Sequence, residues 1–514
     1  MSDAINSDEV LREAIGVRVR YSTIVNYVSQ IYRLLIAIGF TVVVTRKLSV
    51  VEYGLFTTIL GLTSVLGSFY SVWCYWATRY YARGRRDLAS TAFGLNLLYA
   101  PIASLLMILL GTYYSRILGW GYEFFVLGAL IPLIASANQS FRSIVNSTKP
   151  YINGKTSIIR ETIRFIAAYI LVVILSYKLL GAVLSLVIAL SSASIAYYVF
   201  MRGEGIDIPR PGIRRKYLLV LVKNSYIPVL ITLYSMFTQF ERPLLTALTA
   251  STLAAAYLGV SYIPRSVVLQ STGAFTSGLS ARLLRIPSKE DIEEVLRISM
   301  VINIGMVFLL IVMAKPILSL FRYEYIEASL LFILFSIESF LMVLAGIFSS
   351  IATSLERADL EEHGLALINT PLFKIPLAMF LRGLVSIVAA STTAVALLSI
   401  GVGDPILIAL PFPVAWLVSS IPFLLYSYRY ARSKISFSIP WREVVASIIA
   451  GTAASIYLYS TGAPNTVIRS FWSDAWVVGF NVFMGALIYF LVLLLLSPWL
   501  RGFIKRSIEY YFGK

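Results

Sequence analysis

The sequence predicts an all-α protein that crosses a membrane many times. Of its 514 residues, 58% are hydrophobic and 13% charged, whereas a water-facing fold needs a polar coat over every packed layer. The apolar residues gather in fourteen segments, 21–45, 53–78, 88–112, 122–146, 157–177, 180–201, 218–247, 252–281, 292–314, 326–352, 375–400, 406–428, 443–461 and 476–498. Each is near the roughly 20 residues that cross a bilayer core. The 43 Lys and Arg then sort by side. With the N-terminus in the cytoplasm, 32 fall in inner segments and seven in outer loops (Arg46, Lys47, Arg116, Lys178, Lys315, Arg322, Arg469). Four, Arg33, Arg242, Arg265 and Arg382, remain within spans. Short basic loops stay on the cytoplasmic side, so a multi-pass protein of the cell membrane with both termini inside is expected.

Residues 1–20 carry Asp3, Asp8, Glu9, Arg12 and Glu13 without a basic start, apolar core and small-residue cleavage site, so they read as a retained cytoplasmic N-terminus. Spans one to six, 21–201, form a first lobe. The stretch Arg202 to Lys216 holds Pro209, Pro211 and three glycines and reads as a cytoplasmic linker, 202–217. Spans seven to twelve, 218–428, form a second lobe that starts on the same side, the arrangement of parallel repeats. Tyr53-Gly54 opens span two and Tyr257-Leu258-Gly259 opens span eight, with Arg79 and Arg282 ending those spans. Interfacial Tyr and inner Arg are common in any membrane helix, which accounts for about half of that similarity. Residues 429–514 supply a final helix pair and a cytoplasmic tail. The polar run Leu355 to His363 and the apolar Gly364 to Phe373 read as a helix end and an interfacial segment. A fifteenth span there would put the C-terminus outside, against Arg501, Lys505, Arg506 and Lys514.

Composition excludes several chemistries. The net charge of +17 sits mainly in short loops, where orientation and anionic headgroups account for it, so no nucleic-acid partner is expected. One cysteine, Cys74, and one histidine, His363, leave no metal-ligand spacing, internal disulfide or catalytic set. No cofactor, metal or enzymatic activity is expected. Gly154-Lys155-Thr156 resembles the end of a phosphate loop, but that motif needs Gly where Lys149 stands, and no strand precedes it.

The informative residues are polar groups inside the spans, since an ionised side chain at mid-bilayer costs at least about 2.5 kcal/mol. Asn26, Gln30 and Arg33 share one face of span one, with Arg33 about 20 Å along the helix from its inner end. In span seven, Asn224, Pro228, Thr232, Ser235, Gln239 and Arg242 form a second stripe. Arg265 sits in span eight, Glu338 in span ten and Arg382 in span eleven. Glu241 adjoins Arg242, but neighbouring helical residues point about 100° apart and do not pair face to face, so each is expected to seek another partner. If the stripes of spans one and seven face a central cleft, four Arg against Glu241 and Glu338 leave a surplus of two positive charges. A surplus of guanidinium suits an anion, because its planar fork matches phosphate oxygens. The competing expectation is internal pairing, Arg33 or Arg265 with Glu241 and Arg382 with Glu338, with Arg242 snorkelling outward and Glu338 in a structural or gating role. Asn138, Gln139 and Arg142 read as helix-end polar contacts.

The fourteen-span layout, the run from Arg46 to Phe56 (RKLSVVEYGLF), Tyr257-Leu258-Gly259 and Arg357-Ala358-Asp359 together resemble the polysaccharide transporter family. That family comprises flippases of lipid-linked oligosaccharides within the multidrug/oligosaccharidyl-lipid/polysaccharide exporter superfamily. The resemblance implies a two-lobed, monomeric carrier that moves a polyprenyl- or dolichyl-diphosphate-linked oligosaccharide across the cell membrane by alternating access, breaking no bond. It implies diphosphate binding by Arg33 and Arg265, supported by Arg242, Gln30, Asn26, Gln239 and Arg382, with gating or ion coupling at Glu241 and Glu338. Span seven departs from relatives in ending Phe240-Glu241-Arg242-Pro243, which weakens inference about Glu241. Membrane lipids and polysaccharide-assembly or glycosyltransferase proteins are the partners it implies. Two other readings stand beside it, an ion-coupled exporter of amphipathic drugs and a non-transporting scaffold for a glycosyltransferase complex.

Overall fold

The computed structural model of the chain describes residues 19–82, 86–223, 225–270, 288–356, 364–469, 471–502 and 505. The regular elements among them are helices. In order they are α1 (Val19–Lys47), α2 (Val50–Ser68), α3 (Tyr70–Ala82), α4 (Arg86–Leu118), α5 (Tyr122–Gly128), α6 (Leu130–Thr148) and α7 (Tyr151–Ala168). A π-helical turn (Tyr169–Ile174) leads to α8 (Lys178–Gly203), α9 (Arg215–Lys223), α10 (Tyr226–Thr249) and α11 (Leu253–Ser261). Then come α12 (Lys289–Val312), α13 (Ala314–Phe321), α14 (Ser329–Ser354), α15 (Pro371–Ser399), α16 (Pro405–Ala409), α17 (Pro411–Lys434), α18 (Trp441–Ser460) and α19 (Phe471–Leu496). Short 3-10 turns, Tyr323–Ala328 among them, join several of these.

Among the described residues, ten helices are long and apolar enough to cross a bilayer, or eleven if α9 and α10, set at 63°, count as one. The expected fourteen is not reached for a chemical reason. Helix α1 holds Arg33 amid further polar residues, α7 holds Arg160, Glu161 and Arg164, and charge within a span lowers its hydropathy. Residues 271–287, in the expected eighth span, lie outside the described residues.

The chain divides into two compact units, one built from residues up to Val44 and Leu62–Met236, the other from Thr45–Gly61 and Phe237 onward. The sequence places a division in the linker at 202–217. Contact instead sets the cuts within α1, α2 and α10.

In the first unit, α3, α4, α6, α7 and α8 share a core of Trp76, Leu88, Ile144, Val145, Ile152 and Met201. Buried amides bind these helices: Asn96 Nδ2 donates to Ser140 Oγ at 3.0 Å, and Asn138 Nδ2 to Ser194 Oγ at 2.8 Å and the Leu190 carbonyl at 2.9 Å. Such contacts hold helices together where lipid removes any hydrophobic drive between them. Asn138, read from sequence as a helix-end contact, thus joins α6 to α8.

In the second unit, the segment Thr45–Gly61 explains the Tyr53-Gly54 and Tyr257-Leu258-Gly259 motifs. A Cβ on Gly54 would stand 2.0 Å from the Thr252 carbonyl oxygen, and one on Gly259 would stand 2.9 Å from Thr57 Cγ2. Thr58 Oγ1 and Thr246 Oγ1 are 2.8 Å apart. Tyr53 and Tyr257 meet the same ring, Tyr325, at 5.9 and 6.0 Å. The two motifs are halves of one contact, in which small residues let backbones approach closely. Outward faces of α15, α17 and α19 expose Val385, Val388, Val418, Phe480 and Leu495, the surface of a protein whose solvent is lipid.

Candidate functional site

The first unit gathers cations around one carboxylate. Glu161 is buried on α7, with Oε1 accepting from Arg160 Nη2 at 2.8 Å and Nε at 3.0 Å. Its Oε2 lies 2.7 Å from Arg164 Nη2. The Arg164 guanidinium also covers the Phe40 ring of α1 at 4.4 Å. Arg33, half-buried at the centre of α1, is in electrostatic reach of Arg160, Glu161, Arg142 and Tyr197. Neighbouring Tyr32 hydrogen-bonds Thr162 Oγ1 at 2.6 Å, fixing the register of α1 against α7. Tyr197 of α8 is within reach of Arg142, Arg160 and Arg33 and donates its hydroxyl to Asn153 Oδ1 at 2.9 Å. Arg160 and Arg164 therefore share the Glu161 carboxylate, with Arg33 in electrostatic reach of it and Arg142 near Arg33, a net formal charge of +3 over these five residues. Arg33 and Arg160 are only half-buried and Arg142 is exposed, so the excess is presented rather than enclosed. Preorganised, partly desolvated guanidiniums are suited to an anion with several oxygens.

The second unit holds a different arrangement, sealed and balanced. Glu338 of α14 is fully buried, with Oε1 accepting from Arg382 Nη2 at 2.6 Å and Oε2 lying 3.2 Å from Arg265 Nε. Arg382 also donates to Ser420 Oγ at 2.9 Å and the Trp416 carbonyl at 3.3 Å. The Trp416 ring of α17 meets both guanidiniums, 5.1 Å from Arg265 and 4.7 Å from Arg382, a doubled cation–π contact. Its indole N–H donates to Glu241 Oε1. Glu241, Arg265 and Arg382 are 1, 3 and 5% exposed. Two Arg thus meet two Glu, in keeping with the rule that buried charge persists only when partnered.

Within the second unit, Arg265 and Arg382 face carboxylate rather than standing as surplus positive charge. Arg265 and Arg382 are both directed onto Glu338, because a guanidinium in low dielectric draws the nearest carboxylate. The anticipated Arg382–Glu338 pair is present. Arg242 donates to Gln239 Oε1 at 2.8 Å, one helical turn back, and lies 5.7 Å from the Tyr262 ring. Gln30 Oε1 is sheltered and accepts no hydrogen bond among the described residues. The side chain of Asn26 lies outside the described residues, as do Asn224, Arg282, the run Arg357-Ala358-Asp359 and His363.

Sequence reasoning missed Glu161, Arg160 and Arg164 and gave Arg142 a minor role. Arg160 and Arg164 fall within the expected span 157–177, yet the count by side places them with the inner basic residues. The signal was present in their i, i+4 spacing around an acidic residue, which places three charges on adjoining rows of one helix.

No family model matches this chain, and no curated protein matches it by sequence. Solved structures do. A lipid II flippase, MurJ, in an inward closed conformation is similar over 92% of this chain and 98% of its own, with a TM-score of 0.61 and 15% identity. A multidrug resistance MATE transporter in an inward-facing conformation is similar over 80% of this chain and 98% of its own, with a TM-score of 0.57 and 12% identity. A further neighbour, from Pyrococcus furiosus, is a MOP-superfamily transporter described by the reverse polarity of its binding pocket; it covers 81% of this chain and 96% of its own, with a TM-score of 0.54 and 13% identity. The chain therefore has the polytopic helical fold of MOP-superfamily transporters.

Proposed function

We propose that this protein is a flippase that moves an anionic lipid-linked substrate, a polyprenyl- or dolichyl-diphosphate-linked oligosaccharide, between leaflets by alternating access. The observation that carries the reading is the cluster of Arg160 and Arg164 on the Glu161 carboxylate, with Arg33 and Arg142 close by. Arg33 and Arg160 bind the diphosphate, Arg164 anchors Glu161, and Tyr197 and Gln30 offer neutral hydrogen bonds to sugar hydroxyls. The remaining sequence candidates, Arg265, Arg382, Glu241 and Glu338, take a structural and gating role, and Arg242 is engaged by Gln239. Similarity to a lipid II flippase supports a lipid-linked substrate. The multidrug alternative has less support, because a cationic drug wants accessible carboxylate, and Glu241 and Glu338 are sealed against Trp416, Arg265 and Arg382.

The test is translocation of a fluorescent polyprenyl-diphosphate sugar in proteoliposomes, read by its protection from an external reducing agent. Losing one charge-assisted hydrogen bond lowers binding about 10- to 150-fold, so Arg33→Ala and Arg160→Ala should each weaken saturation by that much, while Arg33→Lys retains part. Undiminished translocation by the Arg33→Ala/Arg160→Ala double variant, at native expression, would remove the cluster from the site.

A further inference from the structure

We propose that the second unit carries a separate binding site for an anionic glycerophospholipid, with one acyl chain lying in a groove between α15 and α17. The groove has a volume of about 610 Å³. Its α15 wall is the stripe Leu377, Leu381 and Val385, and its α17 wall is Val418, Pro422 and Tyr426, each set recurring every three or four residues so that one helical face is presented. Leu381, Val385 and Val418 are 48, 59 and 61% exposed, so the walls open outward.

The floor is polar by sequence yet closed to a polar ligand. Ser386 Oγ and Ser419 Oγ hydrogen-bond each other at 2.7 Å, Ser386 also donates to the Arg382 carbonyl at 2.8 Å, and Arg382 is engaged by Glu338 and Ser420. A hydrocarbon chain can therefore lie over these groups without stripping any of them of a partner. That favours an apolar occupant.

One end is charged. Lys374 lines the groove in the first turn of α15, which begins at Pro371. The contacts of Arg382 with Ser420 and of Ser386 with Ser419 set α15 and α17 antiparallel, which brings Tyr426 level with Lys374. A cation in the first turn of a helix opposes the helix dipole, and an anion placed there is attracted by both. From Lys374 to Ala389 the groove runs about 22 Å at 1.5 Å per residue, longer than one leaflet's share of roughly 15 Å. A chain can lie extended along it with its phosphate at Lys374. Arg429, Arg432 and Lys434 follow on α17, marking that end as the basic, inner one.

The experiment uses the full-length protein in nanodiscs with photoactivatable phosphatidylglycerol or phosphatidylcholine carrying a diazirine in one acyl chain, and maps the cross-links by mass spectrometry. Phosphatidylglycerol should label residues of 377–389 and 415–426 about fivefold more than phosphatidylcholine, the ratio expected from one Lys–headgroup attraction. Lys374→Gln should bring the two probes level. Ala415→Phe, which fills the groove, should remove cross-links there for both, with an unchanged elution profile and melting temperature as the check on folding. Equal labelling of the native protein by both probes, or persistent groove labelling in Ala415→Phe, would overturn the proposal. So would displacement of the probe by equimolar polyprenyl phosphate, which would give the groove to the carried substrate. Loss of translocation in Arg33→Ala with labelling intact separates this site from the diphosphate site.

Discussion

Glu338→Gln tests whether the sealed charges of the second unit hold helices together. The substitution keeps shape and one acceptor while removing the carboxylate that serves Arg265 at 3.2 Å and Arg382 at 2.6 Å. Removing one member of a buried pair costs about 3–5 kcal/mol. Glu241 stays close to Arg265 and Ser420 still accepts from Arg382, which places the expected loss near the lower end, about 3 kcal/mol. The assay is equilibrium unfolding in mixed micelles with increasing sodium dodecyl sulfate. The double variant Glu338→Gln/Arg382→Met restores equality of charge between Arg265 and Glu241 and should recover at least half of the loss. A Glu338→Gln protein as stable as the native one, or a double variant less stable than the single, would refute the reasoning that balance rather than any one contact keeps the cluster.

Trp416→Phe retains an aromatic ring against the guanidiniums but removes the N–H that donates to Glu241. It should cost about 1–3 kcal/mol in the same titration. Gly54→Val places a branched side chain where a Cβ already meets the Thr252 oxygen at 2.0 Å, so it should abolish the folded peak in size-exclusion chromatography, whereas Gly67→Ala, with open space around it, should not. Lys149 Nζ bonds Glu204 Oε2 at 2.8 Å outside the spans, and that bond holds the Glu204 carboxyl below its ordinary value. A lowered folded-state pKa stabilises above the unfolded value and loses that effect as pH falls, so the gap between native and Lys149→Ala, under about 1 kcal/mol for so exposed a pair, should be visible at neutral pH. It should close as pH drops below about 4.5, the unfolded carboxyl value.

Hydropathy and loop charge made the helical membrane class readable without coordinates, because lipid imposes length and composition on every span. The motif residues Tyr53, Gly54, Tyr257 and Gly259 were visible as a pattern, but their meeting around Tyr325 and Thr252 depends on pairing residues some 200 positions apart, which one sequence does not encode locally. The same holds for charge. Arg33, Arg265 and Arg382 were recognisable as deep cations, yet which carboxylate each would find rested on helix neighbours. Arg160 and Arg164 lie inside the expected span 157–177 but count there as inner basic charge, because α7 carries its polar residues on one face of a helix that is apolar on the other.

Glu338 answers to two arginines at once, and this has a bearing on how the chain can drift over generations. No single replacement of Glu241, Arg265, Glu338 or Arg382 by an uncharged residue preserves neutrality, so lineages that leave this state must pass through a poorly inserting intermediate or change two codons nearly together. Positions 241, 265, 338 and 382 should accordingly covary across descendants of the same ancestor, with acidic and basic members lost in pairs rather than singly.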